Sequence, residues 1–176
     1  DGQKMSKSRG TFILADTFAE FIAPESLRYY LACKLNTSPD DIDFSLEDFV
    51  LRVNADLVNK VVNLLSRTVP MIHRHNDGKL GAFDEAAAGI RDEVLKTNEE
   101  IEQLYRSKQF SQVVRKVTHV ADVANRYLQD AAPWNTVKTD AQLALSQLST
   151  ALWVGKTCVA WLKPIVPEVA KLTEEM

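Results

Sequence analysis

The sequence of 176 residues has only two cysteines, Cys33 and Cys158, neither with a second Cys or a His at metal-ligand spacing. That excludes a disulfide-built scaffold and a cysteine zinc site. It predicts two buried free thiols in a reducing compartment; one long-range disulfide is the other pairing the count allows. Glycine and proline number six each, too few for the many tight turns of a sandwich or barrel. No apolar run approaches the roughly 20 residues of a membrane span. The first residues, Asp1-Gly2-Gln3-Lys4, have neither an initiator Met nor the pattern of a signal peptide. They read as a loop within a longer, cytoplasmic chain. Basic residues fall short of acidic ones, 21 against 24, which excludes a uniformly basic nucleic-acid coat. Apolar residues, at 45%, are too many for a disordered chain and enough for a core.

What is present is helical periodicity. Residues 1–10 form a polar, basic loop. Thr11 to Ala15 and Asp41 to Phe44 are short strand candidates, separated by a short helix to Phe21 that Asp16 or Thr17 could cap, and by a helix from Pro24 to Leu35. From Ser45, with Asp48 three residues on as in a capping box, apolar residues recur at helical spacing: Phe49, Val53, Leu57, Val61 and Leu64. This helix is expected to reach about His73, with Pro70 ending it early or kinking it. Further helices are expected over about 85–106, 107 or 110 to 130, 140–163 and 167–175. Short connections between long amphipathic helices imply an antiparallel bundle. The fold class expected is therefore mainly α: a bundle over residues 45–176, preceded over residues 1–44 by a small mixed α/β subdomain.

Two features carry chemistry. Lys4-Met5-Ser6-Lys7-Ser8 places two lysines three apart among small polar residues, near Gly2 and Gly10. Such a loop can close on a polyphosphate, its ammonium groups offsetting charge on a leaving pyrophosphate; a solvated basic loop is the plainer reading. Asn59, Asn63 and Arg67 follow one another at i, i+4 and i+8, so they share a helix face away from Val61 and Leu64. Asn and Arg side chains pair with base edges, although a solvated polar stripe has the same pattern. Trp134 lies just after Pro133 at a helix end, placed to stack on a splayed base or to plug the end of the bundle. Trp153 and Trp161 fall within apolar runs and read as packing residues. So does His119, set among valines. Asn125, Arg126 and Tyr127 either contact RNA or lock the bundle. His73 and His75, two apart, do not share a helix face, so no metal site is expected.

All five residues from Lys4 to Ser8, with Arg9-Gly10-Thr11 after them, match the signature loop of class I aminoacyl-tRNA synthetases. Glu25-Ser26-Leu27-Arg28-Tyr29-Tyr30, the Arg52 to Leu64 segment, Ala124-Asn125-Arg126-Tyr127 and Ala132-Pro133-Trp134 follow in order. Together they resemble the bacterial methionyl-tRNA synthetases from that loop to the end of the anticodon-binding domain. The resemblance implies that Lys7, with Lys4 secondary, stabilises the transition state of methionyl-adenylate formation. It implies that Lys4, Ser6, Lys7 and Ser8 bind ATP, supplied with Mg2+, in the whole enzyme. Residues 1–44 would contact the inner corner of the tRNA. Asn63 and Arg67, joined by Asn59 on the same face, would contact the CAU anticodon of methionine tRNA, and Trp134 would stack on one of its bases. The implied partners are that tRNA and a nucleotide-binding domain preceding Asp1, with no DNA and no membrane. The fragment alone would bind no cofactor and catalyse nothing. The helical domain of another class I synthetase, for cysteine, leucine, isoleucine or valine, is the nearest alternative. A helical protein-interaction module that binds no RNA is the other.

Charge is unevenly spread beneath the net −3. Residues 51–81 hold five basic and two acidic residues, and residues 101–138 six and three. These blocks carry Asn63, Arg67 and Trp134. Mild local basicity suits reading a few bases more than gripping a long backbone.

Overall fold

A computed structural model describes residues 5–6, 8–10, 12–38 and 41–176. The elements run in the order α1 (Ala15–Phe21), α2 (Pro24–Lys34), α3 (Leu46–Arg52), a π-helical segment (Val53–Val62), α4 (Asn63–Asn76), a 3-10 turn (Glu85–Ala87) leading into α5 (Ala88–Arg106), α6 (Phe110–Ala131), α7 (Pro133–Thr136), α8 (Ala141–Leu162) and α9 (Pro167–Glu174). Ser45 caps α3 as its spacing predicts, accepting from the Asp48 N–H, and Asp140 caps α8 by accepting from Leu143. α1 instead begins at Ala15, with neither Asp16 nor Thr17 as its cap.

The mixed α/β subdomain is corrected: there is no strand among the described residues. Thr11 lies outside them. Phe12, Ile13 and Leu14 are 41%, 49% and 53% exposed, not alternately buried, and a strand without a partner's ladder has nothing to fix it. Residues 41–44 are held by side chains instead. Phe18, Tyr30, Phe44 and Phe49 cluster edge to face or tilted, with ring centroids 5.4–6.5 Å apart. The Tyr30 hydroxyl accepts from the Ser45 N–H.

Asp48 anchors this corner. It accepts from Arg52 Nε at 2.9 Å and the Tyr30 hydroxyl at 3.2 Å, and pairs with Lys34 at 2.5 Å. The Lys34 bond, most of all, holds the Asp48 carboxyl below its ordinary range. A carboxyl so depressed stabilises the fold fully above its unfolded pKa of about 3.9 and stops doing so as pH falls through its lower folded value. Acid titration of thermal stability should therefore show a loss below about pH 4 that Asp48→Asn makes shallower. An unchanged acid limb in the variant would assign the loss to other carboxylates.

The bundle centres on α8, most of whose residues are buried, and which packs on α4 and α6. Leu64, Val61, Val113, Val117, Ala124, Leu148 and Leu162 form its core, and Tyr29 and Ala32 of α2 share it. Gly155 lets α8 lie close to α4: a Cβ there would meet Leu65 Cδ2 at 3.1 Å and Leu64 Cβ at 3.3 Å. The turn after α4 uses Asp77 and Gly78 in left-handed backbone, and the His73 ring sits where a Gly78 side chain would go. Pro70 does not end the helix; it lies inside α4 with Ser66. Both residues are exposed, so the carbonyl that loses its partner four residues back can be hydrated.

Other packing expectations divide. Trp161 is buried and donates to Asn98 Oδ1 at 2.9 Å. Trp153 is 37% exposed, edge-on to Phe83, because an apolar helix position can still face the rim of a bundle. The His119 side chain is 65% exposed, 3.9 Å from Glu93, so it is a surface residue. Both cysteines are free. Cys158 is buried and Cys33 half-buried; burial pushes their thiols up to about 12 and about 11. Both are therefore protonated and weakly nucleophilic at neutral pH.

Candidate nucleic-acid interface

The candidate face begins with a change of helix type. Residues 53–62 bond i to i+5, and the Asn63 N–H still donates to Val58 O. Where the pattern returns to i to i+4, one carbonyl is passed over. At that junction the Lys60 carbonyl accepts from Asn125 Nδ2 at 2.9 Å, an amide that also donates to Ala121 O. Lys60 itself pairs with Asp56 and, at 2.9 Å, with Asp122. Asn125 thus locks α6 to the wide segment.

This geometry aligns the polar stripe. Four residues make slightly more than a turn of α-helix and slightly less than a turn of π-helix. The step from Asn59 to Asn63 and the step from Asn63 to Arg67 therefore rotate in opposite senses and nearly cancel. Asn59 is exposed and Asn63 half-buried. Among the described residues no hydrogen bond engages either side-chain amide, which leaves both for an incoming partner.

Arg67 and Trp134 meet across the sequence. The guanidinium carbon lies 5.0 Å from the centre of the Trp134 ring, and one guanidinium nitrogen reaches Gln129 Oε1 at 3.4 Å. Trp134 is half-buried, one side packed on the core. The chain brings it there by an abrupt stop. Ala132 takes a left-handed conformation at φ 43°, about 1–2 kcal/mol uphill for a residue with a Cβ. Pro133 then opens α7 at its first position. The stop at Pro133 follows from the sequence, whereas α7 and the strained Ala132 that aims the ring do not; Ala-Pro-Trp is the local signal for them. The result is a cation over an aromatic ring with two amides up the same helix face. That set can stack a heterocycle and bond to its edge.

Of the other candidates, Tyr127 donates to Asp84 Oδ2 at 2.7 Å, and the Asp84 N–H donates to Thr150 Oγ1 at 2.8 Å. Like Asn125, Tyr127 does structural work, while Arg126 is exposed. At the N-terminal loop, Ser6 and Ser8 hydroxyls lie 3.0 Å apart; Lys4 and Lys7 lie outside the described residues. No group of three or more His, Cys, Asp and Glu side chains arranged to hold a metal occurs among the described residues. No helix there is long and apolar enough to cross a membrane.

Comparison with known proteins gives the family of the chain as a whole. Residues 1–69 match the family model for class I tRNA synthetases (M), and residues 77–176 match the anticodon binding domain of methionyl tRNA ligase. A methionine–tRNA ligase of Leptospira biflexa is 42% identical over 169 residues. That alignment takes in 96% of this chain and 25% of the relative, so the chain spans about a quarter of such a protein. Two structures of Mycobacterium tuberculosis methionyl-tRNA synthetase with methionyl-adenylate superpose with TM-scores of 0.85 and 0.84, at 24% and 25% identity. They cover 98% and 97% of this chain and 35% of each of theirs. With more than half of its length matched by a single domain model, on the segment that holds Trp134, the chain belongs to the family of the methionyl tRNA ligase anticodon-binding domain.

Proposed function

We propose that this chain is the tRNA-binding part of a methionine–tRNA ligase and that the face of Asn59, Asn63, Arg67 and Trp134 reads the CAU anticodon of methionine tRNA. The observation that carries this reading is the Arg67 guanidinium 5.0 Å from the Trp134 ring, with Trp134 inside the segment matched to an anticodon-binding domain and Arg67 just before it. Stacking supplies affinity that tolerates any base, and the Asn amides and the Arg edge supply discrimination. In the whole enzyme, ATP with Mg2+ activates methionine as the adenylate before transfer to tRNA. Lys7, seconded by Lys4, offsets charge on the phosphates there. The adjacent exposed hydroxyls of Ser6 and Ser8 suit phosphate oxygens as acceptors. On this reading the chain alone forms no adenylate, because the methionine pocket and most of the nucleotide site belong to the preceding part of the polypeptide. Support for that partner comes from the apolar surface left open within residues 1–69, where Phe21 is 80%, Leu51 65% and Leu46 59% exposed.

The test is a fluorescence-anisotropy titration with a labelled anticodon stem-loop. The chain is expected to bind a CAU loop at least tenfold more tightly than the same stem with an unrelated loop. Equal affinity for the two would overturn the assignment to methionine, and no binding to either would favour a protein-interaction module.

A further inference from the structure

The polar stripe on α4 continues past Arg67. At the pitch of an α-helix, Arg67, Pro70 and Arg74 all fall within about 40° of Asn63 around the axis, with Arg74 roughly 10 Å beyond Arg67. Arg74 is exposed. Among the described residues no hydrogen bond or ion pair engages its guanidinium. Asp77, the one acid between Arg67 and Lys79, does not pair with it. Trp134 has a matching cation. The Val137 N–H donates to Pro133 O at 2.9 Å and the Lys138 N–H to Asn135 O at 3.1 Å. The backbone therefore stays helical past α7, and Lys138 stands about one turn on from Trp134, on the same side. It too is exposed, and among the described residues its ammonium group is unpaired. α4 and α6 run in parallel, Lys60 meeting Asp122 and Arg67 meeting Gln129. Lys138, which follows α6 and α7, thus lies at the same end of the bundle as Arg74. Helix-end electrostatics accounts for only part of this. Arg74, with His73 and His75 in the last turn of α4, offsets the negative end of that helix. Lys138 stands two residues before Asp140, the N-cap of α8, where a cation is disfavoured.

We propose that Arg74 and Lys138 hold phosphates of the RNA strand as it leaves the Arg67–Trp134 pair, a grip that carries the interface on toward the C-terminal end of α4. This rests on the anticodon reading above. Bases that stack on the ring and bond to the amides are joined by a backbone that passes over the next turn of both helices, where the two cations stand. Phosphate contacts of this kind fix the register of a strand and carry no sequence information. Discrimination stays with Asn59, Asn63 and Arg67, and Arg74 and Lys138 add affinity for any loop.

The test repeats the stem-loop titration at about 50, 100 and 200 mM salt. Loss of one phosphate contact to a single strand lowers the slope of log affinity against log salt by about 0.7. Arg74→Ala and Lys138→Ala are each expected to show that change. Each should bind the CAU loop several-fold more weakly at low salt and the unrelated loop more weakly by the same factor, so that the preference for CAU is kept. The gap from wild type should narrow about 2.5-fold across that salt range. Arg74→Lys, which keeps the charge, should keep the slope. Lys171→Ala removes an exposed charge from α9 and should change neither affinity nor slope. A wild-type slope in either Arg74→Ala or Lys138→Ala overturns the grip. So does an equal change in Lys171→Ala, which would make the effect one of net charge. A lower melting temperature in Arg74→Ala, with wild-type binding by the folded fraction, would leave Arg74 only its role at the helix end. Loss of the CAU preference in Arg74→Ala would make it a base contact instead. If wild-type protein binds the two loops alike while the alanine variants behave as expected, the anticodon reading falls and the grip stands. If it prefers CAU and the variants match it, the grip alone falls. If it binds neither loop, both fall.

Discussion

Trp134→Ala is expected to weaken binding of the CAU stem-loop by about 1–3 kcal/mol, the usual worth of one base–aromatic stack. The loss should be larger than for any single substitution of Asn59 or Asn63, because an amide lost at a wet interface is partly replaced by water. Trp134→Phe should recover part of it, since a smaller ring still stacks. The fold bears a lesser cost, about 1–2 kcal/mol, because the ring is half-buried against the core. Arg67 gives the discriminating readout. If the two residues act as one platform, Arg67→Ala and Trp134→Ala are non-additive in a double-mutant cycle. Binding that survives Trp134→Ala once corrected for the folded fraction would make this tryptophan a plug for the end of the bundle.

Arg28→Ala is expected to lower stability by about 1–3 kcal/mol, the range for charged hydrogen bonds at a partly exposed site. Arg28 donates from Nε to Ile165 O at 2.9 Å and from its terminal nitrogen to Pro164 O at 2.8 Å. One turn earlier on α2, the Glu25 carboxylate accepts from the Glu168 and Val169 N–H groups in the first turn of α9, at 2.5 and 3.1 Å. That is an N-cap delivered from the far end of the chain, with a negative charge at the positive end of the helix. Hydrogen exchange reads the effect locally. The amides of α9 should exchange about tenfold faster in Arg28→Ala, while those of α4 keep their wild-type order of protection. Uniform acceleration across the bundle would mean that the clasp is part of the global unfolding unit.

The helices and most of their limits were legible because their signals are local. Ser45 with Asp48, Asp140 ahead of α8 and Pro133 after α6 each act within four residues. The two strand candidates failed because alternation describes a face, and a strand also needs a neighbour that no local pattern supplies. The wide segment at 53–62 left no mark in the sequence, since helix type is a matter of which carbonyl each N–H chooses. A partner 65 residues away, Asn125, donates to the Lys60 carbonyl within it. The site was readable in its members and not in its assembly. Spacing grouped Asn59, Asn63 and Arg67, whereas only the resemblance joined Trp134 to them.

The clasp between α2 and α9 also sets a schedule. Synthesis delivers Glu25 and Arg28 early, and their partners, residues 164–169, are nearly the last of these residues to be made. Until then α2 holds a carboxylate and a guanidinium with nothing to satisfy, while Tyr29 beside them waits for the same core. A chain cut before Pro164 would keep nearly all of its helical sequence and still lack the groups that secure its first helices. Tolerance to truncation should therefore end abruptly at that point, with α2 released together with the missing tail.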